Sequence, residues 1–212
     1  MPADRPSPLQ NRVTPEGAFE AVAARGLFTG NRGVLHDERY QMLPARWKHQ
    51  NWIICALEFK GRWRRVMTPR RWTELFFLDE AVALAAGHRP CGECRRAAYN
   101  AWMDAMAAGR RIARPAAKDL DRMLHAERAI PGARAQRRHH ARLEDLPDGA
   151  FVATEATGPA LVLGDRLLPW SHAGYGAPKP RPQGATMLLT PPTSVAALRA
   201  GFAPVLHASA HA

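Results

Sequence analysis

Cys91 and Cys94 stand three residues apart around Gly92 and Glu93. Two thiolates at this spacing can grip one tetrahedral ion when the chain between them turns tightly, and Gly92 permits such a turn. A helix beginning near Gly92 would favour the thiolate form through its N-terminal dipole, and Arg89, Arg95 and Arg96 would push the same way. Zinc is the cofactor this pattern points to. Two other readings compete: a redox pair, which here lacks an apolar strand running straight into the motif, and two buried cysteines that bind nothing. The total of three cysteines excludes a disulfide framework and favours a reducing compartment. Zinc would need two further ligands. Cys55 is one candidate, although a cysteine on an apolar strand usually belongs to the core. Histidines supply the rest: His88, His125, His139 and His140, with His36 and His172 more remote.

Acid–base chemistry has a second candidate group. Asp121 and His125 lie four apart on an expected helix and share a face, so the carboxylate could orient the imidazole for general-base work or for a metal. Glu127 points elsewhere, and an ordinary surface ion pair would give the same spacing. His172 sits in a stretch from Leu163 to Gly176 rich in aromatic residues and glycine. There Trp170 and Tyr175 could stack a base or sugar while His172 bonds it; strand corners have the same composition without any ligand.

Charge suggests the partner. The 212-residue chain carries a formal charge of +11. Lys60, Arg62, Arg64, Arg65, Arg70 and Arg71 run without an acid between Glu58 and Glu74. Arg134, Arg137, Arg138 and Arg142, with His139 and His140, form a second acid-free block. Such clusters suit a polyanion, because neutralising phosphates releases condensed counterions; an arginine-rich composition alone would produce the same total. Lys60, Arg62, Arg64, Arg65, Arg70, Arg71, Arg137 and Arg138 are the expected nucleic-acid contacts, with Trp63 or Trp72 packing or stacking. No apolar run approaches the ~20 residues of a membrane span, and the first residues lack the layout of a secretory signal. A cytoplasmic protein with no membrane partner is expected.

The elements that would position these groups can be read in outline. Residues 1–12 read as an arm. Thr14-Pro15-Glu16 resembles a helix start, with Gly26 as its stop. Residues 52–57 and 63–67 read as strands of a hairpin around Lys60-Gly61, followed by a strand over 73–78. Asp79 caps a short helix ended by Gly87. Residues 95–108 form a helix with Tyr99, Trp102, Met103 and Met106 on one stripe, and 116–129 a second with Leu120, Met123 and Leu124 inward. Short strands follow over 150–154, 160–163 and 166–170, then a proline-containing connector over 176–184 and a last helix over 193–200. Residues 75–91 and 188–206 echo each other as strand, short helix, Ala-Gly stop and proline-containing strand, either a degenerate duplication or two ordinary β-α-β turns.

Phe76-Phe77-Leu78-Asp79-Glu80-Ala81, with Ala86-Gly87-His88-Arg89-Pro90-Cys91-Gly92-Glu93-Cys94, resembles the metal-binding domain of Ada-type DNA alkylation-repair proteins, over about residues 73–96. The resemblance implies Cys91 and Cys94 as zinc ligands, a local strand-helix fold and DNA as partner. That family uses four cysteines and accepts a methyl group on one of the upstream pair. Residues 61–65, where that pair would fall, contain no cysteine, so methyl transfer is not expected to carry over.

The expected architecture is α+β: a small antiparallel sheet with short helices around the Cys-x-x-Cys site over residues 1–145, and a β-rich lobe over 146–212 packed on it or continuous with it. The expected function is a zinc-stabilised nucleic-acid-binding protein, DNA before RNA, with a link to repair. The alternative is a hydrolase acting on a nucleic acid or nucleotide through Asp121, His125 and His172. A module that binds an acidic protein is a third class.

Overall fold

A computed structural model describes residues 5–133 and 135–212. In chain order the first half contains β1 (Gln10–Val13), β2 (Phe19–Ala21), β3 (Phe28–Asn31), β4 (Ile53–Cys55), β5 (Leu75–Phe77), α1 (Glu80–Ala85), β6 (Arg89–Pro90), α2 (Arg96–Arg110) and α3 (Ala117–Arg128). The second half contains β7 (His139–Arg142), β8 (Phe151–Thr154), β9 (Gly158–Leu163), β10 (Arg166–Ser171), β11 (Gly174–Tyr175), β12 (Lys179–Pro180), β13 (Ala185–Leu188) and α4 (Pro192–Arg199). The fold is α+β, with two mostly antiparallel sheets. One runs β2-β1-β5-β3-β4-β6, and the other β11-β10-β9-β8-β13-β7 with β12 beside β10. Buried side chains from both sheets and all four helices form one cluster, from Val13 to Ala210. No helix among the described residues is long and apolar enough to cross a membrane.

Two expectations for the first half are corrected. Residues 14–26 form no helix. The Thr14 amide donates to the Ala18 carbonyl, the Thr14 hydroxyl accepts from the Ala18 amide, and Gly17 takes a φ of 83°. The Thr-Pro-Glu signature therefore closes a β1–β2 hairpin, whose Gly17 supplies the positive φ and lies against the Gln136 side chain. Residues 63–67 form no strand either. Lys60 and Gly61 do turn with positive φ, but the chain beyond them is held by one carboxylate instead of a ladder. Glu74 accepts from the Met67 amide at 2.7 Å and from Arg64 Nε at 2.8 Å, while the Arg64 guanidinium lies 4.2 Å over Trp72.

Asp79 caps α1 as expected, accepting from the Val82 amide at 3.0 Å. Its other oxygen takes the Tyr175 hydroxyl at 2.7 Å and the His207 amide at 3.0 Å, so one carboxylate joins α1 to the C-terminal sheet and tail. The stripe Tyr99, Trp102, Met103 and Met106 is buried, and α2 packs on α4 where Gly109 meets the Ala196 carbonyl. The echo in sequence is visible as two identical helix ends. Gly87 and His88 donate to Leu84 and Ala83; Gly201 and Phe202 donate to Leu198 and Ala197. The second copy stops there, with no strand over residues 203–207.

Candidate metal centre

The three cysteines meet because of a parallel strand pair. β4 and β6 run side by side with Ile53 opposite Arg89 and Ile54 opposite Pro90, and the Cys91 amide donates to the Ile54 carbonyl at 2.9 Å. That register sets Cys55 beside Cys91 across 36 residues of sequence. The chain then turns: the Arg95 amide reaches back to the Cys91 carbonyl at 3.2 Å, and Cys94 comes round to the same place. The three sulfur atoms lie within 4.8 Å of one another, and all three thiols are free. Zinc–sulfur bonds of about 2.3 Å in a tetrahedron place sulfurs about 3.8 Å apart, so the cluster needs only a small contraction to close on an ion. It can hold a metal.

The electrostatics suit ligation. Cys91 is drawn down to about 5, first because the Cys55 thiol donates to it and then because the Glu93 and Cys94 amides point at it. The Glu93 amide lies 3.4 Å from Cys91 Sγ. Cys55 is pushed up by that same donation and by burial, and Cys94 is pushed up by burial. One thiolate stabilised by two thiols is the protonated form of a three-sulfur site, and a cation would replace the shared protons.

Of the three arginines expected to activate the thiols, Arg89 and Arg95 are engaged elsewhere and Arg96 is exposed at the start of α2. Arg89 makes a two-pronged pair with Asp121, both contacts 2.7 Å, and Arg95 pairs with buried Glu80 at 2.5 Å while lying over Phe28. α2 also starts at Arg96, not at Gly92. Thiol donation and backbone amides do the work that the sequence assigned to arginine. Glu80 additionally accepts from the Val205 amide, so the turn carrying Cys94 is braced through Arg95 against the C-terminal tail.

No histidine, aspartate or glutamate among the described residues joins the three sulfurs. His125 packs edge-on to Trp47 and Trp52. His88 lies between Trp52 and Phe77, with Nε2 3.3 Å from Arg32 Nε. His36 bonds Thr73, His139 bonds the Glu127 carbonyl, and His140 lies exposed on β7. The donor set is therefore three thiols with the fourth position left to an outside ligand, the ligand count that open zinc sites use. Cys55 carried the weakest signal in sequence, since its position on an apolar strand looks like core.

The expected acid–base pair is not assembled. The Asp121 carboxylate is taken by Arg89, and the His125 ring faces tryptophans. His172 bonds Glu20 at 2.8 Å and stacks edge-on to Trp170. Tyr175, a proposed stacking group, is buried with its hydroxyl on Asp79.

The basic segment 60–71 is more divided than its composition suggests. Arg64 is bound to Glu74, Arg70 to Glu38 and Arg62 to Glu93. The last two pairs are exposed and worth little in water. Lys60, Arg65 and Arg71 are exposed and make no ion pair among the described residues. Trp63, between Arg62 and Arg64, is 87% exposed. Because Arg62 reaches Glu93 at 3.0 Å, this loop stands against the turn between Cys91 and Cys94. Arg137 is exposed, while Arg138 is half-buried and donates to the Glu16 carbonyl at 2.9 Å. Arg134, part of the same sequence block, lies outside the described residues.

Burial of His88 has a consequence for stability. Desolvation, reinforced by Arg32 and Arg128, holds its pKa well below the usual imidazole value. In the unfolded chain it takes up a proton near pH 6.5, while in the fold it stays neutral, so stability falls as pH drops below about 6.5. The slope from one such group is at most about 1.4 kcal/mol per pH unit. Chemical unfolding between pH 7 and 5 should show this loss, and His88→Gln should flatten it by up to one proton. His49 and His125 shift in the same direction and remain in the variant.

The fold and site together define an α+β protein with a three-cysteine centre able to hold a metal ion. No protein-family model, curated protein or solved structure matches the chain.

Proposed function

We propose that the chain is a nucleic-acid-binding protein, acting on DNA before RNA, in which Cys55, Cys91 and Cys94 hold a zinc ion. The observation that carries this reading is the exposed Trp63 on a basic loop that touches the cysteine turn through Arg62 and Glu93. An indole left in water between cationic side chains has the composition of a base-stacking platform, with Lys60, Arg65 and Arg71 free to meet phosphates. Soft thiolates favour zinc over the hard divalent cations, and an ion there would pin β4 to the turn against which the loop stands. The order β5, α1, β6 and cysteine turn is also the order that the resemblance to Ada-type repair proteins implies, and a role in repair rests on that resemblance alone. The upstream cysteine pair is absent, and methyl transfer forms no part of the proposal.

Fluorescence anisotropy with labelled single-stranded and duplex DNA tests the reading. Binding should weaken steeply with salt. Lys60→Gln, Arg65→Gln and Arg71→Gln combined should reduce the salt slope by about one per lost phosphate contact. Trp63→Ala should weaken single-strand binding by about 1–3 kcal/mol, roughly 5- to 150-fold. Binding that ignores salt, or that is unchanged in both variants, would remove the loop from the account.

A further inference from the structure

A second site lies away from the cysteines. Between the β1–β2 turn, the end of β3 and residues 46–52 and 135–138 is a cavity of about 200 Å³. Three arginines line it, Arg32, Arg46 and Arg138, with Trp47, Trp52 and Gln136. Glu16 is the one acid in that lining. Arg32 is only 1% exposed and has no carboxylate partner among the described residues. It lies 4.1 Å over Trp52 and donates to the Gly17 and Ala86 carbonyls at 3.3 and 3.0 Å and to His88. Arg128, also buried, lies 4.2 Å over the Trp52 ring and is bonded to the Gly87 and Gln50 carbonyls. Arg138 Nη1 is buried with no acceptor, and so is Gln136 Oε1 with no donor.

Buried cations normally stand beside an anion, since burial without a counter-charge strongly disfavours the charged form. Arg32 feels that penalty, its pKa lowered by burial and then by Arg128 and Arg46. Groups that a fold buries at such cost and leaves without a counter-charge are complementary to something outside the chain. We propose that this cavity binds a phosphate group, with Arg32, Arg46 and Arg138 as its cationic clamp. Planar guanidinium groups match tetrahedral oxyanions through paired N–H donors. A protonated phosphate also offers the O–H that the unpartnered Gln136 Oε1 can accept. The cavity leaves room for water or a small remainder beside the phosphate, and the phosphate can be free or the end of a nucleic-acid strand.

Thermal-shift and calorimetric titration with inorganic phosphate against chloride at matched ionic strength test the site. Arg46→Gln and Arg138→Gln are the informative variants, because both residues are only partly buried and the fold should tolerate them, which their melting without phosphate will verify. Phosphate should raise the wild-type melting temperature saturably, and each variant should bind at least tenfold more weakly. Oligonucleotides with and without a 5′-phosphate identify the source. Preference for the phosphorylated end assigns a strand terminus, and phosphate binding without that preference assigns the free ion. A phosphate response no greater than that of chloride, or one unchanged in both variants, overturns the proposal, whatever the fate of DNA binding at the loop.

Discussion

Cys91→Ser is expected to bring bound zinc from about one ion per chain to near zero, read by elemental analysis of the purified protein. Cys91 is the buried member of the cluster: it follows β6 and accepts from the Glu93 amide. Structural zinc sites with four ligands bind with about 10–16 kcal/mol, so each ligand carries roughly 2.5–4 kcal/mol and its loss weakens affinity by about two to three decades. Cys94→Ser should do the same. Cys55→Ser is the most discriminating of the three, because a site made by Cys91 and Cys94 alone would keep its affinity. The serine variants should still fold, since the buried cluster spans both sheets without the cysteines. Their melting temperature should no longer respond to added zinc, while that of the wild type rises with it. A Cys55→Ser protein that retains full zinc would break the three-sulfur description.

The second large effect is structural. Asp79→Ala removes an N-cap worth about 1 kcal/mol. It also strands the buried Tyr175 hydroxyl and the His207 amide, each at about 1–3 kcal/mol. Burial already holds the Asp79 carboxyl above its usual range, which offsets part of the loss. A net destabilisation of about 3–5 kcal/mol follows, measurable by urea unfolding. Asp79→Asn keeps one acceptor for the Val82 amide and should lose less. Tyr175→Phe removes one of the donors and tests the tie between α1 and β11 separately. Equal stability of wild type and Asp79→Ala would mean that this tie contributes nothing.

What could be read from sequence and what could not divide by range. Asp79 as cap, Gly87 as stop and the Tyr99–Met106 stripe are local signals, set by hydrogen bonds and packing within a few residues, and they appear as expected. The twin helix ends at Gly87 and Gly201 belong to the same class. The failures are non-local or ambiguous. A threonine, proline and acid open a helix or a tight hairpin equally well, and the partner strands decide at residues 14–21. The β-rich run over 63–67 beyond the Lys60-Gly61 turn suggests a strand, but Glu74 offers that backbone a side-chain acceptor instead. Asp121 looks like a partner of His125 because they share a helix face; Arg89, 32 residues upstream, takes it. Cys55 enters the metal centre only through the parallel β4–β6 register, which no spacing rule encodes. The buried arginines around Trp52 are likewise invisible in a chain whose arginines mostly read as surface.

X-ray absorption at the zinc edge of the zinc-loaded protein addresses the centre most directly. Cys55, Cys91 and Cys94 on one ion predict three sulfur neighbours at about 2.3 Å and one nitrogen or oxygen closer in. A first shell with two sulfurs or fewer would contradict it.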